Sequence, residues 1–208
     1  MTDHEQPKKP QPESFDLEVP RGLIERLRLT RLLQRFPQRP VWALFMFVNG
    51  FVTIAILAAV AMLTNTATLF PSLGPTAFLF FFTPTASTAS PRNTVCGHAI
   101  GILCGYGSLV LFGLQDSLPT NMVGVDAARV LCAGLSLAAT GALMILFNVA
   151  HPPAGATTLI VSLGIIRQPA ALLVVEVAVV LLTIQAFVIN RLAGIDYPLW
   201  AKQRSPAR

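Results

Sequence analysis

The chain has 208 residues, of which 53% are hydrophobic and only 12% charged, with a mean hydropathy of +0.63. That charge content is about half the soluble norm, which excludes an ordinary soluble domain and implies a membrane body. The formal charge of +5 sits in the tails: residues 1–39 hold eight Lys/Arg and residues 191–208 hold four, so the basic balance reads as membrane topology and not as nucleic-acid binding.

Residues 1–20 are polar, carry four prolines and are expected to lack structure. No apolar leader core precedes residue 40, which argues against a signal peptide. Asp3, Glu5, Glu13, Asp16 and Glu18 argue against an organellar transit peptide, so a bacterial inner membrane is expected. Within 26–36, Leu29, Leu32, Leu33 and Phe36 follow helical spacing while Arg28, Arg31 and Arg35 take another face. That pattern predicts a short basic helix on an anionic leaflet. The chain thus divides into a basic tail (1–39), a membrane body (40–190) and a second basic tail (191–208), with both tails cytoplasmic and an even number of passages.

Four segments are long enough to span: 41–63, 94–114, 128–148 and 170–190. Two shorter ones, 66–82 and 150–166, open on Pro/Gly strings 81 residues apart, Pro71-Ser72-Leu73-Gly74-Pro75-Thr76 and Pro152-Pro153-Ala154-Gly155-Ala156-Thr157. The predicted fold is an all-α membrane protein of two three-element repeats (span, broken segment, span), inverted relative to one another. The alternative is four spanning helices plus two re-entrant segments. The loop 115–127 holds Asp116 and Asp126 and no Lys or Arg, which suits the outside and favours six passages. Gly97, Gly101 and Gly105 form a small-residue row that admits another backbone, within the bundle or across a homodimer contact.

Matched helix breaks in two halves point to a binding site at the membrane centre. A helix starting near Pro153 is expected to leave the N–H groups of Ala154, Gly155 and Ala156 free, with Thr157 adding a hydroxyl; Ser72, Gly74 and Thr76 repeat the design. Two such helix N-termini make an anion cradle without a formal charge. The other reading is a pair of tight turns with no ligand. Arg92, beside Asn93, is placed to attract an anion, or to reach headgroups as a loop arginine. His98 and His151 are candidates to donate to the anion or carry a proton. Glu176, the carboxylate inside a span, is a proton-coupling candidate expected to pair with Arg92 or a histidine.

These strings resemble the HPP family of integral membrane proteins. Its His-Pro-Pro and Gly-Ala-Thr are matched by His151-Pro152-Pro153 and Gly155-Ala156-Thr157, and its Pro-Arg-Asn and Gly-His by Pro91-Arg92-Asn93 and Gly97-His98. Ser72-Leu73-Gly74 is similar as well, and Ala154 stands where many members have a second glycine. Family members are described as four-helix membrane proteins, and chloroplast and cyanobacterial relatives are linked to nitrite transport. The resemblance implies an anion permease that is not an enzyme and needs no cofactor or metal, with nitrite the first candidate. A metal protein or enzyme using Cys96, His98, His151 and Glu176, and a non-transporting scaffold, are the competing readings.

Overall fold

The computed structural model describes residues 28–65 and 70–201. The tail at 1–20 and positions 66–69 of the first broken segment therefore lie outside the described residues. In chain order the helices are α1 (Leu29–Arg35), α2 (Gln38–Thr64), α3 (Leu73–Phe82), α4 (Pro91–Leu111), α5 (Thr120–Val123), α6 (Ala127–Leu146), α7 (Ala154–Ser162) and α8 (Pro169–Leu192), with a 3-10 turn at Ser87–Ala89. The described residues are all-helical, and α2, α4, α6 and α8 are long and apolar enough to cross a membrane. They coincide with the four predicted spans to within a few residues. In α1, Leu29 is buried, Leu32 and Leu33 half-buried and Phe36 exposed, so only the first half of the predicted apolar face packs inward.

The two Pro/Gly strings start helices but not full spans. With 10 and 9 residues, α3 and α7 extend only about 15 Å each at ~1.5 Å per residue, half of a ~30 Å hydrocarbon core. Start signals are plain elsewhere: Pro91 follows the α4 N-cap Ser90, whose hydroxyl accepts the Asn93 N–H, and Asp126 caps α6 by accepting from the Arg129 N–H at 2.8 Å.

Helix α4 is the least apolar of the four long helices and the most buried, because its neighbours are α6, α7 and α8. Its glycines set the distance to α7. A Cβ on Gly97 would lie 2.7 Å from His151 Cβ, one on Gly101 would lie 2.9 Å from the Ala154 carbonyl, and one on Gly105 would lie 2.8 Å from the Thr158 carbonyl. Rising residue numbers face rising residue numbers, so α7 runs parallel to α4. The glycine row is therefore spent inside the protomer, which removes the expectation that it forms a subunit contact. One apolar core, around Leu57, Phe80, Phe81, Val179 and Leu182, joins α2, α3 and α8; another, around Leu109, Cys132 and Val161, joins α4, α6 and α7.

Hydrogen bonds tie the ends of the helices together. The Arg92 N–H donates to the Trp200 carbonyl and the Tyr197 hydroxyl to the Ala89 carbonyl, so the start of α4 lies beside the segment after α8. The Leu163 carbonyl, just past α7, accepts from the Thr120 N–H, so α7 ends beside the α4–α6 connection.

Gly101→Ala must displace the Thr158 hydroxyl and the Ala154 carbonyl, at 2.8 and 2.9 Å from the new methyl, and should cost about 1–3 kcal/mol of stability. Gly107→Ala meets nothing within 4 Å and should be neutral or gain up to ~1 kcal/mol in helix propensity. Thermal unfolding of both variants in detergent checks this; equal melting temperatures would contradict the packing.

Candidate functional site

Thr76 is the fourth residue of α3, and Thr157 is the fourth residue of α7. Each is the threonine of its Pro-x-x-Gly-x-Thr string, each is buried, and both reach the same side chain. His98, fully buried two turns into α4, lies with Nε2 2.9 Å from Thr76 Oγ1 and Nδ1 2.8 Å from Thr157 Oγ1. His151, also fully buried, brings Nε2 to 3.2 Å from the same Thr76 hydroxyl, and the two rings stand 5.0 Å apart. His151 Nδ1 is 2.7 Å from the Thr88 carbonyl, with Thr94 Oγ1 at 3.4 Å.

Proton positions follow from these partners. The Thr88 carbonyl only accepts, so His151 carries its proton on Nδ1 and the neutral ring accepts at Nε2. Thr76 then donates its hydroxyl proton to His151 Nε2. The Ser72 carbonyl lies 3.3 Å from the same hydroxyl, but a hydroxyl proton given there would leave the buried His151 Nε2 with no donor. What joins His98 to Thr76 is therefore the His98 Nε2–H, and His98 Nδ1 accepts from the Thr157 hydroxyl. The two histidines are opposite tautomers in one directed chain: Thr157, His98, Thr76, His151, Thr88 carbonyl.

Other sequence candidates are placed differently. The N–H groups at the second break are not free: Ala154, Gly155 and Ala156 donate to the carbonyls of His151, Pro152 and Pro153 at 3.0–3.1 Å, and Gly74 donates to Pro71 at 3.3 Å. The expected cradle of bare amides is corrected accordingly, because tight i→i−3 turns take those donors before the helices begin. Gly74 is exposed with nothing near its Cβ position, and a Cβ on Gly155 would face Leu137 of α6, not the imidazoles. Ala156 is half-buried, and Ser72 is buried with a hydroxyl that finds no partner among the described residues.

Arg92 and Asn93 hold the chain just before His151. Arg92 donates to the Phe147 and Asn148 carbonyls at 3.1 Å each, and Asn93 Nδ2 to the Ala150 carbonyl at 3.2 Å. Asn148 is left-handed (φ 53°), so this turn leaves the end of α6 sharply and carries His151 inward. Glu176 corrects a further expectation: both its carboxylate oxygens are sealed from solvent with no hydrogen-bond partner among the described residues, so it joins neither Arg92 nor His98 nor His151. No three His, Cys, Asp or Glu side chains among the described residues gather to hold a metal ion.

The spacing of Thr94 and His98 puts them on one face of α4, but the Thr88 carbonyl carried no sequence signal, since every residue has one. Buried Arg129 was also missed; it donates to the Leu163 carbonyl at 3.2 Å and to the Leu118 carbonyl. Residues 36–198 match the transmembrane region of the HPP family. No curated protein and no solved structure matches the chain.

Because Arg92 spends its guanidinium on two carbonyls, Arg92→Ala should lower stability by about 1.5–3 kcal/mol, the worth of charged hydrogen bonds. Arg92→Lys should recover only part of that, since a single ammonium cannot match the fork. Thermal unfolding in anion-free detergent buffer decides it: an unchanged midpoint for Arg92→Ala would contradict the clamp.

Proposed function

The chain belongs to the HPP family of integral membrane proteins, and from that premise and the geometry around His98 we propose that it carries a small monovalent anion across the membrane. Nitrite is the first candidate, on the resemblance to relatives linked to its transport. The observation that carries the reading is the equivalence of Thr76 and Thr157: the same position of two matched short helices, each on one nitrogen of one buried histidine. Helix termini meeting at a central polar group are the usual form of a transporter's binding site.

Two inverted halves, α2–α3–α4 and α6–α7–α8, account for this meeting. Asn190, near the end of α8, donates to the Phe80 carbonyl, so α3 runs toward the end of the bundle where α4 begins. α7 runs the other way, toward Leu163. On this reading each short helix, together with the segments that flank it, carries the chain between the ends, for six passages with both termini on the cytoplasmic side.

With the backbone amides already taken, the anion's donors are the hydroxyls of Thr76 and Thr157 and the N–H of His98, backed by the positive ends of α3 and α7. The anion enters by replacing a threonine on His98. Removing a hydroxyl that serves the bound anion should cost about 1–1.5 kcal/mol, roughly tenfold in affinity. Among the described residues the metal-protein reading has no gathered ligand set to support it.

Reconstituted into liposomes, the protein should give saturable anion entry, compared across nitrite, nitrate, formate, bicarbonate and chloride. Thr76→Val and Thr157→Val should each raise the half-saturating concentration about tenfold. Background-level flux for all five anions would replace the transporter by the scaffold reading. Unaltered saturation in both variants would move the binding site elsewhere.

A further inference from the structure

The bonds around His98 do more than hold a ligand position, since they form an unbroken path along which a proton can move. We propose that Thr157, His98, Thr76 and His151 constitute a proton relay from the centre of the bundle to the Thr88 turn, so that anion passage is coupled to proton movement. The inner end of this relay rests on the anion reading above; the relay itself rests on geometry.

Four consecutive links, at 2.8, 2.9, 3.2 and 2.7 Å, join Thr157 to the Thr88 carbonyl. All are within hydrogen-bonding range, and each intermediate group both accepts and donates. Hydroxyl and imidazole alternate, and imidazole is the side chain suited to taking a proton on one nitrogen while releasing one from the other. At the outer end Thr88 is half-buried, in the 3-10 turn at the end of the bundle where Tyr197 and Trp200 dock.

The step balances. A proton arriving at His98 Nδ1 from the Thr157 side forms an N–H bond there, and the His98 Nε2–H bond breaks as Thr76 Oγ1 accepts that proton. Thr76 passes its own hydroxyl proton to His151 Nε2, and the His151 Nδ1–H bond breaks as its proton passes to a water molecule at the half-buried Thr88 turn, whose carbonyl orients that N–H without itself taking the proton. One proton enters, one leaves, and no electrons are transferred. Both rings finish as the reversed neutral tautomers, and turning them back resets the relay.

Thr76 is the link that no neighbour replaces. It stands between the two imidazoles, whose rings make no hydrogen bond to each other, and without its hydroxyl the path is cut at its middle. Glu176, the carboxylate inside α8, makes no hydrogen bond to any member of the chain, which places it off this path.

The test uses the full chain in phosphatidylethanolamine/phosphatidylglycerol vesicles with pyranine inside and a valinomycin-set potassium potential. Proton entry and nitrite entry are both measured, and protein-free vesicles are subtracted. The wild type should show proton entry accompanying nitrite entry. Thr76→Val should reduce proton entry to the protein-free level, Thr76→Ser should retain it, and Glu176→Gln should leave it unchanged. If Thr76→Val does not fold, His151→Gln reads the same break one link further on. Nitrite entry without proton movement in the wild type would overturn the relay and leave the anion reading standing. Proton entry without nitrite entry would support the relay and remove the anion reading. Proton entry persisting in Thr76→Val, or absent together with nitrite entry in the wild type, would also overturn the relay.

Discussion

A single imidazole with both nitrogens occupied holds the centre of this protein. His98 is fully buried and bonded to Thr76 on one side and Thr157 on the other. A buried polar ring with an idle nitrogen is costly in an apolar medium, so each hydroxyl must be delivered to within about 3 Å. That demand places the first turns of α3 and α7 against α4 from opposite directions. The glycines at 97, 101 and 105 let α7 come that close, and the left-handed Asn148 lets the chain turn in toward His151. A network in which every member is satisfied also rigidifies the core around it.

Charge inside the body follows a second rule. Arg92 and Arg129 both settle on carbonyls at helix ends, Arg92 where α6 stops and Arg129 where α7 stops. Such carbonyls lack intrahelical partners and carry the negative end of the helix dipole, so a guanidinium is stabilised there without a carboxylate. Arg92, on α4, thus ties the end of α6 to the bundle, while Arg129, on α6 itself, ties the end of α7 to α6 and to the α4–α6 connection at Leu118. Glu176 has no comparable solution among the described residues, and its sealed carboxylate is one of the polar costs that the packing leaves standing, with Arg167 Nη1 another.

The four long helices were legible because the body contains so few charges that length alone marks the spans. The two breaks were legible because proline and glycine have little use inside an apolar helix. Which face of each break mattered was not. Gly74 and Gly155 look like the ligand-approach residues in the strings, yet helical periodicity turns them away from the buried threonine two positions on. Free amides were expected because a helix start leaves four orphan donors, but the tight turns at Pro71 and His151-Pro152-Pro153 consume them first. The destination of Arg92 depends on how α6 docks against α4, which no local pattern encodes.

The account depends most directly on the two histidines being locked in opposite neutral tautomers by their threonine partners. Nitrogen-15 NMR of the imidazole-labelled protein in lipid, assigned with His98→Asn and His151→Asn variants, reads each ring nitrogen separately. The prediction at neutral pH is His98 protonated at Nε2 and bare at Nδ1, with His151 protonated at Nδ1 and bare at Nε2. Two rings of the same tautomer, or a ring protonated on both nitrogens at neutral pH, would contradict the directed chain on which the site is built.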